Sequence, residues 1–268
     1  MLVSVAGFAL MQLCVKYLMH LPTTELVLFR SFVSIAISLT VVWRAGISPF
    51  GVNKKFLFLR GLFGTIALTL YFYTLQNLPI ATASVIQYLS PVFTAIFAIW
   101  ILKEPMRPQR WLFFLIAFIG IALIKGFDPN LKTIYLVAGV ASAIFAGLAY
   151  NCIRVVRHTD KPVVIVLYFP LVAIPIMTIL SLSNWTWPDP QDWIIIILMG
   201  IFTQIGQVYM TKALHFGKAN VITPMKYTGI VYALGFDIFL FQVDHGWITF
   251  VGIFLVVGGV VLNLIKKD

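Results

Sequence analysis

Long runs of apolar residues, separated by short polar connections, extend along the whole 268-residue chain. A helix that crosses a bilayer needs about 20 apolar residues. Runs that qualify lie at 1–19, 24–43, 56–75, 79–102, 109–125, 132–153, 162–182, 193–213, 218–241 and 246–265. Transmembrane β-strands are shorter and alternate in polarity, so the pattern predicts an all-α polytopic membrane protein with ten transmembrane helices.

The composition supports lipid as part of the solvent. The chain is 61% hydrophobic and 10% charged, whereas soluble domains are about 45–50% apolar and about 25% charged. The formal charge of +10 would suggest nucleic acid in a soluble protein. Because Lys and Arg lie in short loops here, the membrane explanation is stronger, and no nucleic-acid partner is expected.

Most of the 19 Lys and Arg residues lie in loops on the side of the N-terminus, where we also counted Arg60. Only Lys16, Lys125 and Lys132 lie on the other side. The positive-inside rule then predicts both termini in the cytoplasm, and the plasma (inner) membrane of a bacterium is the expected location. The apolar run starts almost at Met1, without the charged start and cleavage site of a signal peptide.

The sequence contains none of the motifs that would indicate catalysis or a cofactor. There is no HExxH, no nucleophile elbow, no pair of intramembrane carboxylates and no Walker motif. Cys14 and Cys152 lie in apolar runs and indicate neither a disulfide framework nor a metal site. We therefore expect no enzyme activity, no cofactor and no metal.

The chain resembles itself when it is shifted by 139 residues without a gap. Matched pairs include Leu28 and Leu167, Val33 and Val172, Gly61 and Gly200, Phe63 and Phe202, Tyr88 and Tyr227, and Gly120 and Gly259. Five helices per repeat is an odd number, so the second repeat is inverted. The sequence thus predicts two five-helix repeats, 1–129 and 130–268, an architecture that supports alternating access.

One stretch carries a family resemblance. Residues 78–124 read LPIATASVIQYLSPVFTAIFAIWILKEPMRPQRWLFFLIAFIGIALI. It has a small-residue start, a Ser-Pro pair, a Glu after the helix and a Gly in the next helix: Ala81, Ala83, Ser84, Ser90, Pro91, Glu104 and Gly120. This resembles the EamA repeat of the drug/metabolite transporter superfamily. The second copy departs from it, with Ile230 in place of the Pro and Val243 in place of the Glu.

The resemblance implies a ten-helix carrier of small organic molecules. Members of the family handle amino acids, nucleotide sugars, vitamins, choline or drugs, so the substrate does not follow from it. A channel or a scaffold is an alternative for such a chain, although an inverted repeat favours a carrier over a channel.

Lys226 is the sharpest candidate for contact with a substrate, because it lies deep in the ninth span. Its repeat mate is Gln87, and the faces of these two helices are expected to meet near the membrane midplane. Pro91 and Pro224 each free a backbone carbonyl there. The alternative is a lysine that is paired structurally or reaches water without touching substrate.

Further polar side chains in the spans complete the predicted substrate site: Ser84, Tyr88, Thr223, Tyr227, Gln204, Gln207, Tyr71 and Asn151. Gln12 and Tyr150 add polar and aromatic surface. For each of them, hydrogen bonding between helices is an equally reasonable role.

Arg30 and Asp237 have similar depths near the outer side, which allows an ion pair that closes this side as a gate. Arg30 could instead extend outward or pair with Glu25. Among the acids, only Asp237 lies clearly within a span. This scarcity favours facilitated diffusion or exchange over proton coupling.

Arg30 and Lys226, set against one buried acid, favour a small-molecule substrate with a carboxylate or another anionic group, such as an amino acid. The alternative is an exporter or carrier of cationic or amphiphilic compounds held by aromatic rings. A monomer and a homodimer are both compatible with the sequence.

Overall fold

The computed structural model describes residues 1–103, 111–112, 115–116, 119–120, 132–216 and 224–265. Ten α-helices lie in these parts of the chain: α1 Leu2–Tyr17, α2 Thr23–Arg44, α3 Lys54–Asn77, α4 Ile80–Gln87, α5 Ser90–Ile101, α6 Thr133–Val156, α7 Pro162–Ser181, α8 Asp192–Phe216, α9 Gly229–Phe239 and α10 Trp247–Ile265. A 3₁₀ helix, Pro224–Thr228, leads into α9.

The protein is a polytopic α-helical membrane protein, as predicted. Six segments of the described chain are long and apolar enough to cross a bilayer: α2, α3, the α4–α5 segment Ile80–Ile101, α6, α7 and most of α8. The helices α1 and α10 supply shorter apolar stretches. In lipid, a helix is favoured because it satisfies its backbone polar groups internally.

The predicted fourth helix is interrupted. Its first part, α4, ends at Gln87, and α5 begins at Ser90. Pro91 has no N–H to donate to the carbonyl of Gln87, so the sequence itself weakens the helix at this point. The break leaves Tyr88 and Leu89 between two short helices that together cross the bundle.

Two predicted spans fall partly outside the described residues. The ninth, 218–241, is described from Pro224 onward, and Thr223 lies outside the described chain. Of the fifth, 109–125, the positions 111–112, 115–116 and 119–120 are described, and they are helical.

Helices that are not consecutive in the chain pack against each other. The most extensive interfaces are those of α3 with α6, α1 with α8, and α2 with α7, and α4 packs against α9. A large apolar cluster fills the bundle between these helices, with Phe72, Leu26 and Ile86 among its fully buried members. A smaller cluster around Leu57 and Ile165 closes the end near the α6–α7 turn.

Glycines allow two of these helix pairs to approach closely. A Cβ added at Gly61 of α3 would lie 2.6 Å from the carbonyl oxygen of Tyr168 and 2.6 Å from Val172 Cγ2 on α7. At Gly200 of α8 the added atom would collide with Val33 of α2. Small residues are the usual means by which membrane helices reach such separations.

We predict that Gly61→Ala destabilises the protein by about 1–3 kcal/mol, because the new methyl group meets backbone of the neighbouring helix. Gly235→Ala is the matched control, since a Cβ there meets nothing within 4 Å. That change should be neutral or stabilising by up to about 1 kcal/mol, because alanine favours a helix over glycine. Thermal unfolding in detergent measures both. Equal effects of the two substitutions would contradict the close contact of α3 with α7.

Candidate functional site

A cavity of about 150 Å³ lies in the bundle where the fourth span is interrupted. It is bounded by α1, α3, α4, the start of α5, α6, α8 and the 3₁₀ helix that precedes α9. Its polar and aromatic wall consists of Gln12, Tyr71, Ser84, Gln87, Tyr88, Ser90, Tyr150, Gln207, Lys226 and Tyr227. The break in the fourth span therefore faces a cavity, the setting in which irregular backbone is tolerated at membrane depth.

Hydrogen bonds connect the side chains on the α1 side of this wall. Gln12 Nε2 donates to Tyr71 Oη at 2.8 Å, and Ser84 Oγ donates to Gln12 Oε1 at 3.3 Å. Gln87 Oε1 lies 2.9 Å from Ser142 Oγ. These bonds join side chains of four helices, α1, α3, α4 and α6, and fix the amide groups of Gln12 and Gln87 in the cavity wall.

The opposite part of the wall is formed by tyrosines. Tyr88 and Tyr227, which are repeat mates, pack edge to face with ring centroids 5.0 Å apart. The Tyr88 hydroxyl donates to the backbone carbonyl of Lys226 at 3.1 Å. Gly229 makes this approach possible, because a Cβ there would lie 2.6 Å from the Tyr88 hydroxyl. The buried hydroxyl of Tyr227 has no protein partner in the described chain.

Lys226 is the one charged side chain among the described residues of the wall. Its ammonium lies 4.5 Å from the centroid of the Tyr150 ring. Within the part of the chain that the structure describes, no acid pairs with it. Lys16 is different, because its ammonium donates to the carbonyl oxygens of Leu75 and Leu78 at 3.4 and 3.0 Å. Lys226 is thus a half-buried cation with an aromatic neighbour and without a counter-charge among the described residues.

The structure brings together seven of the residues selected from the sequence: Lys226, Gln87, Tyr88, Ser84, Tyr227, Gln207 and Tyr71. Gln204 and Asn151 do not line the cavity. Gln204 Nε2 donates to Ser38 Oγ at 2.7 Å, and Asn151 Nδ2 donates to the carbonyl of Thr94 at 2.9 Å. Both bonds join two helices, which is the alternative role considered for these residues.

The assignment of Arg60 to a cytoplasmic loop was wrong. It belongs to α3, is 3% exposed, and donates from Nη2 to Gln207 Oε1 at 3.3 Å. We had counted it with a cytoplasmic loop because it follows Lys54 and Lys55 closely. An arginine one and a half turns inside a span is a signal that could have identified it.

The predicted ion pair of Arg30 with Asp237 is absent from this structure. The oxygens of Asp237 accept from the N–H groups of Ile80 and Ala81 at 2.9 and 2.8 Å and contact His245 Nε2 at 3.1 Å. The guanidinium of Arg30 lies over Phe169 instead, 4.5 Å from the ring centroid. Asp237 takes these partners because α4 begins after Pro79, which offers no side-chain acceptor for the first N–H groups of the helix.

Asp237 therefore binds the N-terminus of another helix. It lies in the last turn of α9, where its own helix dipole disfavours a negative charge. The positive end of the α4 dipole and two N–H donors compensate for this. The contact fixes α4, and with it one wall of the cavity, against α9.

Apolar helices around an internal cavity with polar and apolar lining are typical of a multi-pass membrane transporter. Comparison with known proteins shows this class and points away from an enzyme. The chain belongs to the EamA-like transporter family, whose model matches residues 1–126 and again residues 133–265.

Named relatives cover most of the chain. It is 30% identical over 254 residues to the pseudopaline exporter CntI of Pseudomonas aeruginosa, covering 92% of this chain and 88% of that protein. It is 31% identical over 287 residues to solute carrier family 35 member G1 of Homo sapiens, covering 99% and 78%. The S-adenosylmethionine uptake transporter of Rickettsia prowazekii is 27% identical over 235 residues, covering 85% and 78%.

A solved structure shares the fold. It superposes with a TM-score of 0.68 at 18% sequence identity and covers 97% of this chain and 95% of its own. At this identity the likeness concerns the arrangement of the helices alone.

We predict that Asp237→Asn destabilises the protein by about 1–2 kcal/mol, since an amide offers one acceptor where two N–H groups need partners and lacks the charge. Asp244→Asn is the control, because Asp244 is exposed. Thermal unfolding of both variants in detergent tests this. An unchanged melting temperature for Asp237→Asn would show that the carboxylate does not hold α4.

Proposed function

We propose that this protein is a secondary transporter of small organic metabolites with a carboxylate or another anionic group, such as amino acids, and that it works by alternating access. The observation that carries the proposal is the position of Lys226. This residue lines the cavity between the helices, its ammonium lies over the Tyr150 ring, and no described acid pairs with it. An anionic group of the substrate would supply the missing charge.

The interaction energies favour an anionic over a cationic ligand beside Lys226. Two unit charges 4 Å apart interact with about 4 kcal/mol at an effective dielectric constant near 20. A cation held on a tyrosine ring gains only about 0.5–2 kcal/mol. The repulsion between Lys226 and a cationic substrate would therefore outweigh the attraction of the surrounding tyrosines.

The cavity also suits a small solute. Its volume of about 150 Å³ is below the roughly 300–1,000 Å³ of sites for drug-sized ligands. Amide and hydroxyl groups of Gln12, Gln87, Ser84 and Tyr71 surround the space, and they offer both donors and acceptors to the polar groups of a metabolite.

Symmetric contacts support two inverted repeats, 1–129 and 130–268, as the moving units. Gly61 meets Val172, and Gly200 meets Val33, so that both partners of one contact are displaced by 139 residues in the other. The packing of α1 on α8 corresponds in the same way to that of α6 on α3. Two packings of equal kind at opposite ends of a site are what alternating access requires.

The relatives leave the direction open, because one is named for export and another for uptake. We expect facilitated diffusion or exchange as the mode of transport.

The charge distribution supports a bacterial inner membrane with both termini in the cytoplasm. We predict that a reporter enzyme active only outside the cytoplasm is inactive when fused after Asp268 and active when inserted between α7 and α8. The reverse pattern would overturn this topology.

We predict that an anionic or zwitterionic metabolite raises the melting temperature of the purified protein and that Lys226→Ala abolishes this shift. A ligand at a hundredfold excess over Kd stabilises by about 2.7 kcal/mol. Lys212→Ala is the matched control, because Lys212 is exposed near the end of α8 and should keep the full shift. A panel of metabolites grouped by charge provides the ligands.

Counterflow in liposomes follows with the compound that binds best. Accumulation of labelled compound against its gradient is expected for a carrier and would not occur with a scaffold or a channel. A thermal shift only with cations, or one that survives Lys226→Ala, would overturn the anionic class and favour a carrier of cationic or amphiphilic compounds held by the tyrosines.

A further inference from the structure

Two arginines meet at one phenylalanine inside the bundle. Arg30 of α2 is 1% exposed and Arg60 of α3 is 3% exposed. Their guanidinium carbons lie 4.5 and 5.4 Å from the centroid of the Phe169 ring on α7. Gly64 leaves room for this arrangement, since a Cβ there would collide with Arg60 Nη1 and with the Phe169 ring.

Several N–H donors of these guanidinium groups lack hydrogen-bond partners in the described chain. Arg30 Nε and Nη1 and Arg60 Nε are buried without a hydrogen bond in the described chain. The hydrogen bond of Arg60 with an uncharged group, Gln207, is long at 3.3 Å. No ion pair involves either arginine among the described residues.

The buried acids are used elsewhere. Asp237 binds two N–H groups of α4. Glu25 Oε1 accepts from the N–H of Thr186 at 2.7 Å, while its Oε2 is buried without a partner in the described chain. Asp160 accepts from the N–H groups of Val52 and Asn53. Asp192 accepts from the N–H of Asp189 and lies 2.9 Å from His20 Nε2.

Two buried, unpaired cations close to one ring are energetically costly, because burial penalises each charge and the two repel each other. Stacking on a ring offsets only part of this. A carboxylate would offset much more, because a guanidinium binds it through two parallel hydrogen bonds.

Gln207 connects this cluster to the cavity. It lines the cavity and accepts the bond from Arg60. A substrate held by Lys226 would thus share its cavity with an amide, that of Gln207, whose oxygen is hydrogen-bonded to a second cationic group, Arg60. A carboxylate that displaced the Gln207 oxygen would replace a neutral acceptor with a charged one at the same donor.

We propose that Arg30 and Arg60 form a second anion-binding site next to the Lys226 cavity and that the substrate is a dicarboxylate, or a metabolite with two acidic groups. One group binds Lys226, and the other binds the arginine pair after Gln207 moves aside. This rests on the proposed function and narrows its substrate class.

The test compares dicarboxylates of three to six carbons, malonate to adipate, with their monoamides. Thermal-shift titrations give an apparent Kd for each in detergent-purified protein. The dicarboxylate that fits should bind at least about tenfold more tightly than its monoamide, the ratio expected for one charge-assisted hydrogen bond pair. Arg60→Gln should reduce this ratio to near one, and Arg60→Lys should leave an intermediate value because lysine cannot bind bidentately.

Arg44→Gln is the matched control, since Arg44 is exposed at the end of α2 and its loss should leave the ratio unchanged. Lys226→Ala should weaken binding of both compounds of a pair. The ligand-free protein provides an independent readout. Arg30→Met and Arg60→Gln should keep or raise its melting temperature, because each removes an unpaired charge, whereas a structural arginine would lower it on removal.

The outcomes separate the two proposals. If monoamides and dicarboxylates bind equally and Lys226→Ala abolishes both, the proposed function stands and the second site is overturned. If no anion stabilises the protein, both fail. A shift with chloride or sulfate alone that is lost in Arg60→Gln would assign the cluster to an inorganic anion and overturn the dicarboxylate class.

Discussion

The buried arginines of this protein have few hydrogen-bond acceptors, and the arrangement of its other polar groups depends on this constraint. In a bilayer a charged group needs a partner, and the cheapest partner for an arginine or lysine is a carboxylate. Here the buried carboxylates of Asp237, Glu25, Asp160 and Asp192 bind backbone N–H groups instead. The acids thereby hold helices and loops in place, while Arg30, Arg60 and Lys226 retain positive charge toward the interior. The buried carboxylates thus stabilise the fold, whereas the buried cations are available to a ligand in the proposed site.

Interruptions in two helices allow polar and charged side chains to lie inside the bundle. The fourth span breaks at Tyr88 and Leu89, and the described part of the ninth begins as a 3₁₀ helix that contains Lys226. A continuous α-helix would satisfy its carbonyls internally and leave the Tyr88 hydroxyl without the acceptor it has at Lys226. Because backbone groups are freed at these interruptions, polar side chains lie beside them at a low energetic cost. The cavity thus lies beside the break that precedes Pro91, which is itself one of the lining residues.

Much of this could be predicted from the chain. Apolar run length predicted the helical membrane fold, and depth within a span together with the 139-residue shift predicted that Lys226, Gln87 and Tyr88 belong to one region. Gln204 and Asn151 could not be separated from cavity residues, because the polar spacing along a helix does not say which neighbour it faces. The partners of Asp237 were also beyond the sequence, since they are backbone groups more than 150 residues away along the chain. Arg60 was missed for another reason: it lies inside the predicted span 56–75, but it was grouped with the loop residues Lys54 and Lys55 and its depth in the span was not considered.

Stability and function set opposite requirements on the buried polar groups of this protein. At Asp237 the charge is satisfied, so its loss removes hydrogen bonds and weakens the packing of α4 on α9. At Arg30 and Arg60 several donors are unsatisfied, so we expect a neutral side chain at either position to remove an energetic cost of the folded protein. In the second anion-binding site proposed above, the solute supplies the missing acceptors. The sign of the stability change on substitution then distinguishes residues that stabilise the bundle from residues that bind a ligand.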